Sequence, residues 1–470
     1  MIRIFNQYVS SKSVLLMALE TLLIALAFFC GAKVRFWNQP LEFASHTRLP
    51  DFAWQGLVAV MVFELCFYYC DLYNPQAVRT RNGELICLGQ SLGVSSLLLG
   101  LVYIVFPGLF MGRGVFLTGT VLVAAFVAVN RLALDTAWKV AIPRQRILIV
   151  GAGELAGQVA RQLLERADLN FELVGFVEVG PSALEAGNSS IAGYPVLGLA
   201  SRLGSVAVAH RVSKIIVALE DRRGLLPTRD LVKLRVQGVR IEDAHTALAN
   251  LTGRVSLETV QPSWFVFSEG FRRSPLTLGL KRALDLVLGS AGLLISAPLM
   301  LLIAIAIRLD SRGPVIFRQR RVGLGGRCFE LLKFRSMHAD AEAGRGAQWA
   351  AEDDPRITRV GRWIRRFRLD ELPQFLNVIR GDMGFVGPRP ERPEFVEVLR
   401  HEISYYDERH SVRPGLTGWA QVQYRYGAST TDALRKLEYD LFYLKNMSLI
   451  FDCMIILKTV RIVLTGWGAR

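Results

Sequence analysis

Acidic residues are in short supply in this sequence, and its cysteines form no metal-binding pattern. Lysine and arginine total 56 against 41 aspartates and glutamates, a formal net charge of +15. The cysteines lack the spacing of a zinc site or a disulfide framework, which argues against both; they are Cys30, Cys66, Cys70, Cys87, Cys328 and Cys453. Because the first four of these cysteines lie in or beside apolar runs, we expect buried thiols that act as small hydrophobic side chains.

Apolar content and charge are both high, and they are separated along the chain. The sequence has 470 residues, of which 51% are hydrophobic, and it is too long for one core. Long apolar runs fill about the first 135 residues, and basic residues crowd the C-terminal part. This combination indicates a membrane protein that favours anionic lipid head groups and phosphorylated ligands.

Four apolar segments near the N-terminus reach the ~20 residues needed to cross a bilayer. They are Val14–Ala32, Phe52–Tyr69, Leu85–Phe106 and Val115–Leu134. No signal-peptide cleavage site follows the first, so we expect it to be retained. Basic flanks favour a cytosolic N-terminus and a cytosolic chain after Val140. Glu64 is the one prominent ionisable residue in these segments, which favours an anchor over residues 1–140 rather than a transport pathway.

A small α/β domain is predicted over residues 144–262. Arg146–Val150 is patterned as a buried strand, and Gly151 and Gly153 follow it in a Gly-x-Gly-x-x-Ala turn before an amphipathic helix. Such a turn can bring a phosphate to the helix N-terminus. Further strands are predicted at Glu172–Glu178, Lys214–Leu219 and Val239–Ile241, so the domain is Rossmann-like. A single glycine turn is a weak signal, and whether it binds a nucleotide stays open.

The fifth apolar stretch, Leu284–Leu309, has arginines and lysines at both ends. Positive flanks favour the cytosol, so both ends are expected on the same side. Pro298 removes a backbone hydrogen bond near the middle, and the nearby Ser296 hydroxyl can bond to a freed carbonyl. We therefore predict a re-entrant helix over about residues 280–309, broken near Pro298. A straight fifth helix kinked at Pro298 is the alternative.

The candidate chemistry lies after this stretch. Lys333 and Arg335 stand in a Lys-Phe-Arg-Ser-Met motif, and a run of arginines that includes Arg365 alternates with apolar residues, as in a helix lying in the head-group layer. Asp370 and Glu371 follow at once. They could cap the helix that begins after Pro373, or they could act as a nucleophile towards phosphorus and as a Mg²⁺ ligand.

Two glycine- and proline-rich loops complete the pattern. Gly381–Pro390 is a stiff loop that presents Arg389 between Pro388 and Pro390, and rigid placement of a guanidinium suits bidentate phosphate binding. A second such loop, Arg413–Trp419, follows.

With these motifs in this order, residues 276–470 resemble the bacterial sugar transferase family, the monotopic polyprenyl-phosphate sugar-1-phosphate transferases. The anchor and the dinucleotide-like domain resemble the large members of that family, which initiate exopolysaccharide or O-antigen synthesis. The resemblance implies a multi-pass protein of the bacterial inner membrane with cytosolic soluble domains, of class α plus α/β, with a mainly α catalytic domain. It also implies homodimers.

The resemblance further implies a reaction and its residues. Asp370 would attack a UDP-sugar, release UMP and hold the sugar phosphate covalently until undecaprenyl phosphate takes it. Glu371 would bind Mg²⁺, and Lys333, Arg365 and Arg389 would be the supporting basic residues. Many members have Ser directly before the proline of the re-entrant helix, whereas here Ala297 lies between Ser296 and Pro298.

Two other functions compete with this one. A nucleotide-sugar dehydratase or epimerase centred on Gly151 would need a Tyr-x-x-x-Lys pair, but Tyr194 is the only tyrosine between residues 144 and 262, and Gly198 stands where the lysine would be. An inactive scaffold for polysaccharide assembly is disfavoured by the intact Asp370–Glu371 pair. Nucleic acid is disfavoured because the basic residues stand beside membrane-directed apolar ones.

Overall fold

The computed structural model describes residues 2–4, 7–9, 11–48, 50–73, 81–141, 144–179, 190–219, 226–258, 265, 270–271, 274–338, 356–424 and 429–465. They form two compact units, mainly residues 8–242 and 243–470. The helices are α1 Ser11–Arg35, α2 Pro40–His46, α3 Asp51–Tyr69, α4 Arg81–Val105, α5 Arg113–Ala141, α6 Glu154–Glu165, α7 Leu203–Ala209, α8 Thr228–Val236, α9 Ala244–Thr252, α10 Pro275–Asp310, α11 Arg359–Arg366, α12 Gln374–Arg380, α13 Pro393–Glu402, α14 Trp419–Gln423, α15 Thr430–Asn446 and α16 Leu449–Thr465. The strands are β1 Ile2–Ile4, β2 Gln7–Val9, β3 Gln145–Val150, β4 Phe171–Glu178, β5 Ser190–Ile191, β6 Tyr194–Leu199, β7 Lys214–Val217, β8 Arg240–Asp243, β9 Ile316–Val322, β10 Cys328–Phe334, β11 Gly384–Val386 and β12 Gly415–Thr417.

Four long apolar helices, α1, α3, α4 and α5, fall on the four predicted membrane segments. Each of them, like α10, is long and apolar enough to cross a membrane. Their shared core contains large side chains such as Phe28, Phe63 and Phe67, which are almost completely buried. Many other apolar side chains on the same helices are exposed, including Leu97 at 78% and Ile104 at 77%. Exposed apolar surface around a packed core is typical of helices that face lipid.

The interior of this helix bundle holds more charge than the sequence patterns indicated. Glu20 on α1 is fully buried and pairs with Arg131 on α5, with Nε to Oε1 at 2.8 Å. Arg131 also donates to Glu84 at 3.0 Å. Nearby, Glu64 accepts hydrogen bonds from Thr21 at 2.9 Å and Tyr73 at 2.8 Å. Glu64 is therefore one member of a buried polar group that links α1, α3, α4 and α5, and the prediction that it stood alone is wrong.

Arg131→Met is expected to destabilise the bundle, because it leaves Glu20 as a buried charge without its partner. Breaking one side of a buried ion pair costs about 3–5 kcal/mol. Thermal unfolding of the full chain in detergent measures the loss. The double variant Glu20→Met/Arg131→Met is the matched control, since it removes both charges, and it should recover much of the stability. If both variants melt at the same temperature, Glu20 without its partner costs no stability, which would contradict the prediction.

The α/β part of the first unit is a six-stranded sheet in the order β5-β6-β4-β3-β7-β8. β3 pairs in parallel with β4 and β7, β6 pairs in parallel with β4, and the short β5 runs antiparallel to β6. This confirms the predicted parallel sheet. Strands β3, β4, β7 and β8 match predicted ones, whereas β5 and β6 had not been predicted. In such sheets ligands bind at the carboxyl end of the strand where the order reverses, here β3.

Gly151 and Gly153 form the predicted turn after β3. Gly151 has φ +113°, and a Cβ at this position would collide with the carbonyl oxygen of Ala218, so only glycine fits. Gly153 directly precedes α6. The strand–turn–helix unit is confirmed, and nucleotide binding at it stays a prediction.

The second unit begins earlier than the sequence patterns placed it. Helix α9 contributes Ala249 to a core that also contains Trp419, Phe442 and Phe451. Trp419 is 1% exposed and donates its indole N–H to the carbonyl of Gly253 at 2.7 Å. The first compact unit therefore ends at Glu242, ahead of residue 262, where the sequence had placed the end of the α/β domain.

Helix α10 is continuous from Pro275 to Asp310, with Pro298 inside it. The helix is therefore not interrupted at Pro298, and the predicted break is wrong. The Ser296 hydroxyl donates to the carbonyl of Gly292 at 2.6 Å, whereas the carbonyl that Pro298 frees is four residues before it, at Leu294. A hydroxyl that bonds back by one turn often bends a helix. Both the hydroxyl and the proline thus act on the same stretch of α10.

Candidate active site

A tight turn carries the two predicted carboxylates. Residues Leu369–Glu371 form one turn of 3₁₀-helix, and Arg368 directly before it is left-handed, with φ +55°. A non-glycine residue in this conformation costs about 1–2 kcal/mol, and such strain clusters at active sites. The backbone N–H of Glu371 bonds to the carbonyl of Arg368 at 3.2 Å, which closes the turn.

The carboxylate of Glu371 is held by two cations from distant parts of the second unit. Arg389 donates to Oε1 at 2.6 Å, and Lys333 Nζ lies 3.4 Å from the same oxygen. The Glu371 side chain is only 14% exposed. Burial opposes its ionisation, but Arg389 and Lys333 outweigh burial and hold the pKa of Glu371 well below its usual range. Glu371 is therefore a stable anion in the folded protein.

Asp370 lies in a different electrostatic environment from its neighbour. Burial raises the pKa of Asp370; Lys333 opposes this effect and the negative charge of Glu371 adds to it. Two adjacent carboxylates with pKa values pushed apart suit separate chemical roles. The alternative that the pair caps a helix is wrong, because α12 begins after Pro373 with no side-chain cap.

Lys333 is positioned by the β9–β10 hairpin. On β10 the side chains of Leu332 and Phe334 are buried in the protein, and Lys333 between them points to the other face, towards Glu371. Asn377 on α12 fixes this strand against the helix. Its Oδ1 accepts from the N–H of Leu332 at 3.0 Å, and its Nδ2 donates to the carbonyl of Glu330 at 2.7 Å. By fixing β10 against α12, the buried amide of Asn377 helps to hold Lys333 beside Glu371.

Arg389 is positioned by the two predicted glycine-rich loops, which run side by side. β11 and β12 pair in parallel, Gly384 with Gly415 and Val386 with Thr417. The N–H of Gly415 donates to the carbonyl of Pro388 at 2.9 Å. A Cβ at Gly387 or Gly415 would strike the opposite backbone. Glycine is required at this approach, which holds the loop carrying Arg389.

A buried ion pair lies behind Arg389, and sequence patterns gave no sign of it. Arg409 donates to the backbone carbonyl of Arg389 at 3.0 Å and to Asp440 at 2.8 Å. Asp440 is 1% exposed, and burial raises its pKa to about 6 although Arg409 opposes the shift. Because Asp440 is 31 residues from Arg409, no local spacing could have paired them.

Helix α10 supports the same loop. Lys281 donates to the carbonyl of Val386 at 2.9 Å and to Asp452 at 2.6 Å, while Asp285 accepts from the N–H of Phe385 at 2.8 Å. The sequence showed Lys281 only as a positive flank of an apolar stretch. In the structure it is buried, and it fixes the apolar helix to the strand that leads to Arg389.

The other two predicted basic residues differ in position. Arg365 is in the last turn of α11, and its charge acts on Asp370. Arg335 is 4% exposed and donates to the carbonyl and the hydroxyl of Ser311, at 2.7 and 2.8 Å. Within the described ranges its guanidinium bonds to neither carboxylate of the turn. The structure therefore brings together Asp370, Glu371, Lys333, Arg365 and Arg389, and places Arg335 at the end of α10.

The donor set permits Mg²⁺ only if the substrate supplies ligands. Among the residues that the structure describes, no group of three or more His, Cys, Asp or Glu side chains could hold a metal. Mg²⁺ commonly binds one or two carboxylates and takes its remaining ligands from water and substrate phosphates. Lys333 and Arg389 both contact Oε1 of Glu371, so Oε2 is the oxygen of this carboxylate that a metal could take. The site fits Mg²⁺ on those terms.

The chain matches known proteins over both of its compact units. Residues 276–466 match the profile of the bacterial sugar transferase family, and residues 69–242 match that of a CoA-binding domain. Over 415 residues the chain is 31% identical to the UDP-glucose:undecaprenyl-phosphate glucose-1-phosphate transferase of Xanthomonas campestris pv. campestris. The aligned region covers 84% of this chain and 83% of that protein. The chain belongs to the bacterial sugar transferase family.

The names of two further relatives specify different sugars. The chain is 46% identical over 220 residues to the UDP-N-acetylgalactosamine-undecaprenyl-phosphate N-acetylgalactosaminephosphotransferase of Aeromonas hydrophila, across 47% of this chain. It is 35% identical over 334 residues to the undecaprenyl-phosphate glucose phosphotransferase of Komagataeibacter xylinus, across 67% of this chain. In these alignments the chain spans 51% and 58% of the relatives' lengths. The residues that match the family profile, 276–466, include the Lys333 motif, the Asp370–Glu371 pair and both glycine-rich loops.

Proposed function

We propose that this protein transfers a sugar 1-phosphate from a UDP-sugar to undecaprenyl phosphate and releases UMP. The observation that carries the proposal is the pair of carboxylates in one turn: burial raises the pKa of Asp370, whereas Arg389 and Lys333 outweigh burial and lower the pKa of Glu371. The names of the relatives supply the substrate classes. The product would begin the assembly of an exopolysaccharide or an O-antigen.

The reaction would proceed in two displacements at phosphorus. A carboxylate oxygen of Asp370 attacks the phosphorus that bears the sugar, a P–O bond forms, and the P–O bond to the bridging oxygen breaks, so that UMP leaves. A phosphate oxygen of the lipid then attacks the same phosphorus. The bond to Asp370 breaks, the carboxylate is restored, and the product is a lipid diphosphate sugar. A raised pKa makes Asp370 a more basic carboxylate, which favours attack once it is ionised.

The cations around the turn would bind the diphosphate. Arg389 is held by its two flanking prolines and by the carbonyl bond from Arg409, so its guanidinium is fixed before substrate arrives. Lys333 adds a second positive charge beside it. Mg²⁺, when bound, would neutralise charge on the diphosphate, with Glu371 as its protein ligand. In this arrangement Glu371 orients both the arginine and the lysine.

We further infer that α10 is re-entrant and that the soluble parts are cytosolic. Two parts of α10 pack on the second unit: Gly289 lies against Val378, and Ile303 and Ile307 are buried with Phe334. Between these parts, apolar side chains are exposed, Leu294 at 75% and Ile295 at 81%. A continuous helix that bends near Ser296 and Pro298 would enter one leaflet and return, so that this middle part lies in lipid and both ends stay with the catalytic domain. The active site would then lie at the inner-membrane surface, where the lipid phosphate is.

A panel of UDP-sugars tests the proposal. The purified full chain, with Mg²⁺ and undecaprenyl phosphate, is expected to release UMP from one or a few of them, glucose and N-acetylgalactosamine being the sugars named for relatives. Without the lipid, UMP release should stop at about one UMP per protein chain, as covalent catalysis requires. Release of UDP instead of UMP, or no release from any donor, would contradict the proposal.

The protein is also expected to form a homodimer, and mass photometry on the same preparation measures its oligomeric state.

A further inference from the structure

An apolar groove begins at the catalytic turn. It has a cavity volume of about 200 Å³, and Glu371 and Arg368 line one part of it. The remaining lining comes from Leu372 and from five other elements of the second unit, α12, β11, β12, α14 and α16, and most of it is aliphatic or aromatic, including Leu416 and Ile462. A groove that joins a cationic end to an apolar remainder matches a ligand with a phosphate head and a hydrocarbon chain.

One wall of the groove is aromatic and is built against α10. Phe375 and Phe385 both line the groove, and their rings are stacked with centroids 6.2 Å apart. The ring of Phe375 also lies directly on α10, because a Cβ at Gly292 would come within 2.7 Å of it. Gly292 is less than one turn from Leu294 and Ile295, the exposed apolar residues of α10 that we assign to the lipid. The groove therefore lies beside the part of the protein that enters the membrane.

The polar atoms in the groove are largely satisfied within the protein. Thr417 and Thr459 share a hydrogen bond of 2.6 Å between their hydroxyl oxygens, and Thr459 also donates to the carbonyl of Ile455. Gln421 donates to the carbonyl of Leu416 at 3.4 Å, while its buried Oε1 has no partner within the described part of the chain. Hydroxyls that bond each other add little polarity to the lining. Among the described polar groups of this lining, Gln421 Oε1 is an acceptor that a nucleobase could use, so uracil is the occupant to test against.

We propose that this groove binds the first isoprene units of the acceptor lipid, next to its phosphate. The proposal rests on the proposed function and adds the place of one substrate. The phosphate would lie at Arg368, within reach of the turn that carries Asp370, and the chain would run past Phe375 and Phe385 towards the membrane. The donor's diphosphate would instead bind Lys333 and Arg389, the two cations that contact Glu371.

Two valine-to-phenylalanine variants on α16 test the groove. Val463 lines it and is 46% exposed, whereas Val460 on the same helix does not line it and is 42% exposed. Val463→Phe narrows the groove, and Val460→Phe adds the same bulk at a site of similar exposure. We expect Val463→Phe to raise the KM for undecaprenyl phosphate about tenfold or more, while Val460→Phe leaves it unchanged.

The half-reaction with the donor identifies the occupant. Exchange of labelled UMP into UDP-sugar needs no lipid, so Val463→Phe should leave its rate at the wild-type value. Loss of this exchange would mean that the groove holds uracil, and equal kinetics for both variants would mean that it holds neither; each outcome overturns the proposal. A wild-type chain that released no UMP would instead overturn the proposed function. As a second measurement, a diazirine-bearing geranyl phosphate should label peptides of α16 and be displaced by undecaprenyl phosphate, and labelling of α10 alone would contradict the assignment.

Discussion

Asp370→Asn is expected to abolish sugar transfer while leaving the protein folded. The amide keeps the shape of the carboxyl but cannot attack phosphorus, so UMP release should fall by about 10⁴-fold or more, as when other catalytic nucleophiles are removed. Intact-mass measurement after incubation with donor alone should show one added sugar phosphate on the wild type and none on the variant. The matched control is Asp407→Asn, an aspartate with a side chain 53% exposed that pairs with Arg400 on the surface, and it should keep full activity. Unchanged sugar-lipid formation in Asp370→Asn would refute the nucleophile assignment.

The raised pKa of Asp370 adds two consequences. Protonation removes the nucleophile, so the rate of the first half-reaction should fall with decreasing pH earlier than for an aspartate at its usual pKa of 3.8. A folded-state pKa above the unfolded value stabilises the fold below the unfolded pKa, and this contribution is lost as pH rises through the folded pKa. At neutral pH the buried charge is therefore a cost, and Asp370→Asn should melt at or above the wild-type temperature. A clear loss of thermal stability at pH 7 would contradict the burial that raises this pKa.

Glu371→Gln is expected to lower both activity and stability. It removes the anion that Arg389 and Lys333 share, and leaves two cations side by side. UMP release should fall by about 10²–10³-fold, the size found when one electrostatic contact to a reacting group is lost. Breaking a buried pair should also cost about 3–5 kcal/mol. The sign follows from the lowered pKa: Glu371 stabilises the fold above its usual pKa of 4.5, and this contribution is lost as pH falls through the lowered value.

The two variants separate the roles of the neighbours. At neutral pH, Asp370→Asn should keep or raise the melting temperature, and Glu371→Gln should lower it. Titration with Mg²⁺ then tests the metal assignment, because the loss of a ligand raises the Mg²⁺ concentration needed for half-maximal rate. If Glu371→Gln lowers the rate without changing the Mg²⁺ dependence, Glu371 only orients Arg389 and Lys333, and the metal role is refuted.

The elements that could be predicted from sequence are those that follow from local pattern. The four apolar helices near the N-terminus, the strands β3, β4, β7 and β8, and the turn at Gly151 were all found from periodicity, length and glycine placement. Strand β6 was missed because Tyr194–Leu199 contains a proline and a glycine, which lower strand propensity. The continuity of α10 through Pro298 was also missed. A proline raises the cost of a helix locally, but packing at both ends of α10 compensates for it.

At the candidate site, the sequence by itself determined which residue types are present and in what order: the Asp370–Glu371 pair, the basic motif with Lys333, and the proline-flanked Arg389. Only the tertiary structure decided which of them meet. Glu371 joins residues 18 and 38 positions away, Arg131 joins Glu20 across 111 positions, and Arg335 bonds to Ser311 instead of the carboxylates of the Leu369–Glu371 turn. From the sequence alone, the two carboxylates could also have capped a helix. Their opposite pKa shifts arise from burial and from charges brought close by folding, and neither cause can be read from neighbours in the chain.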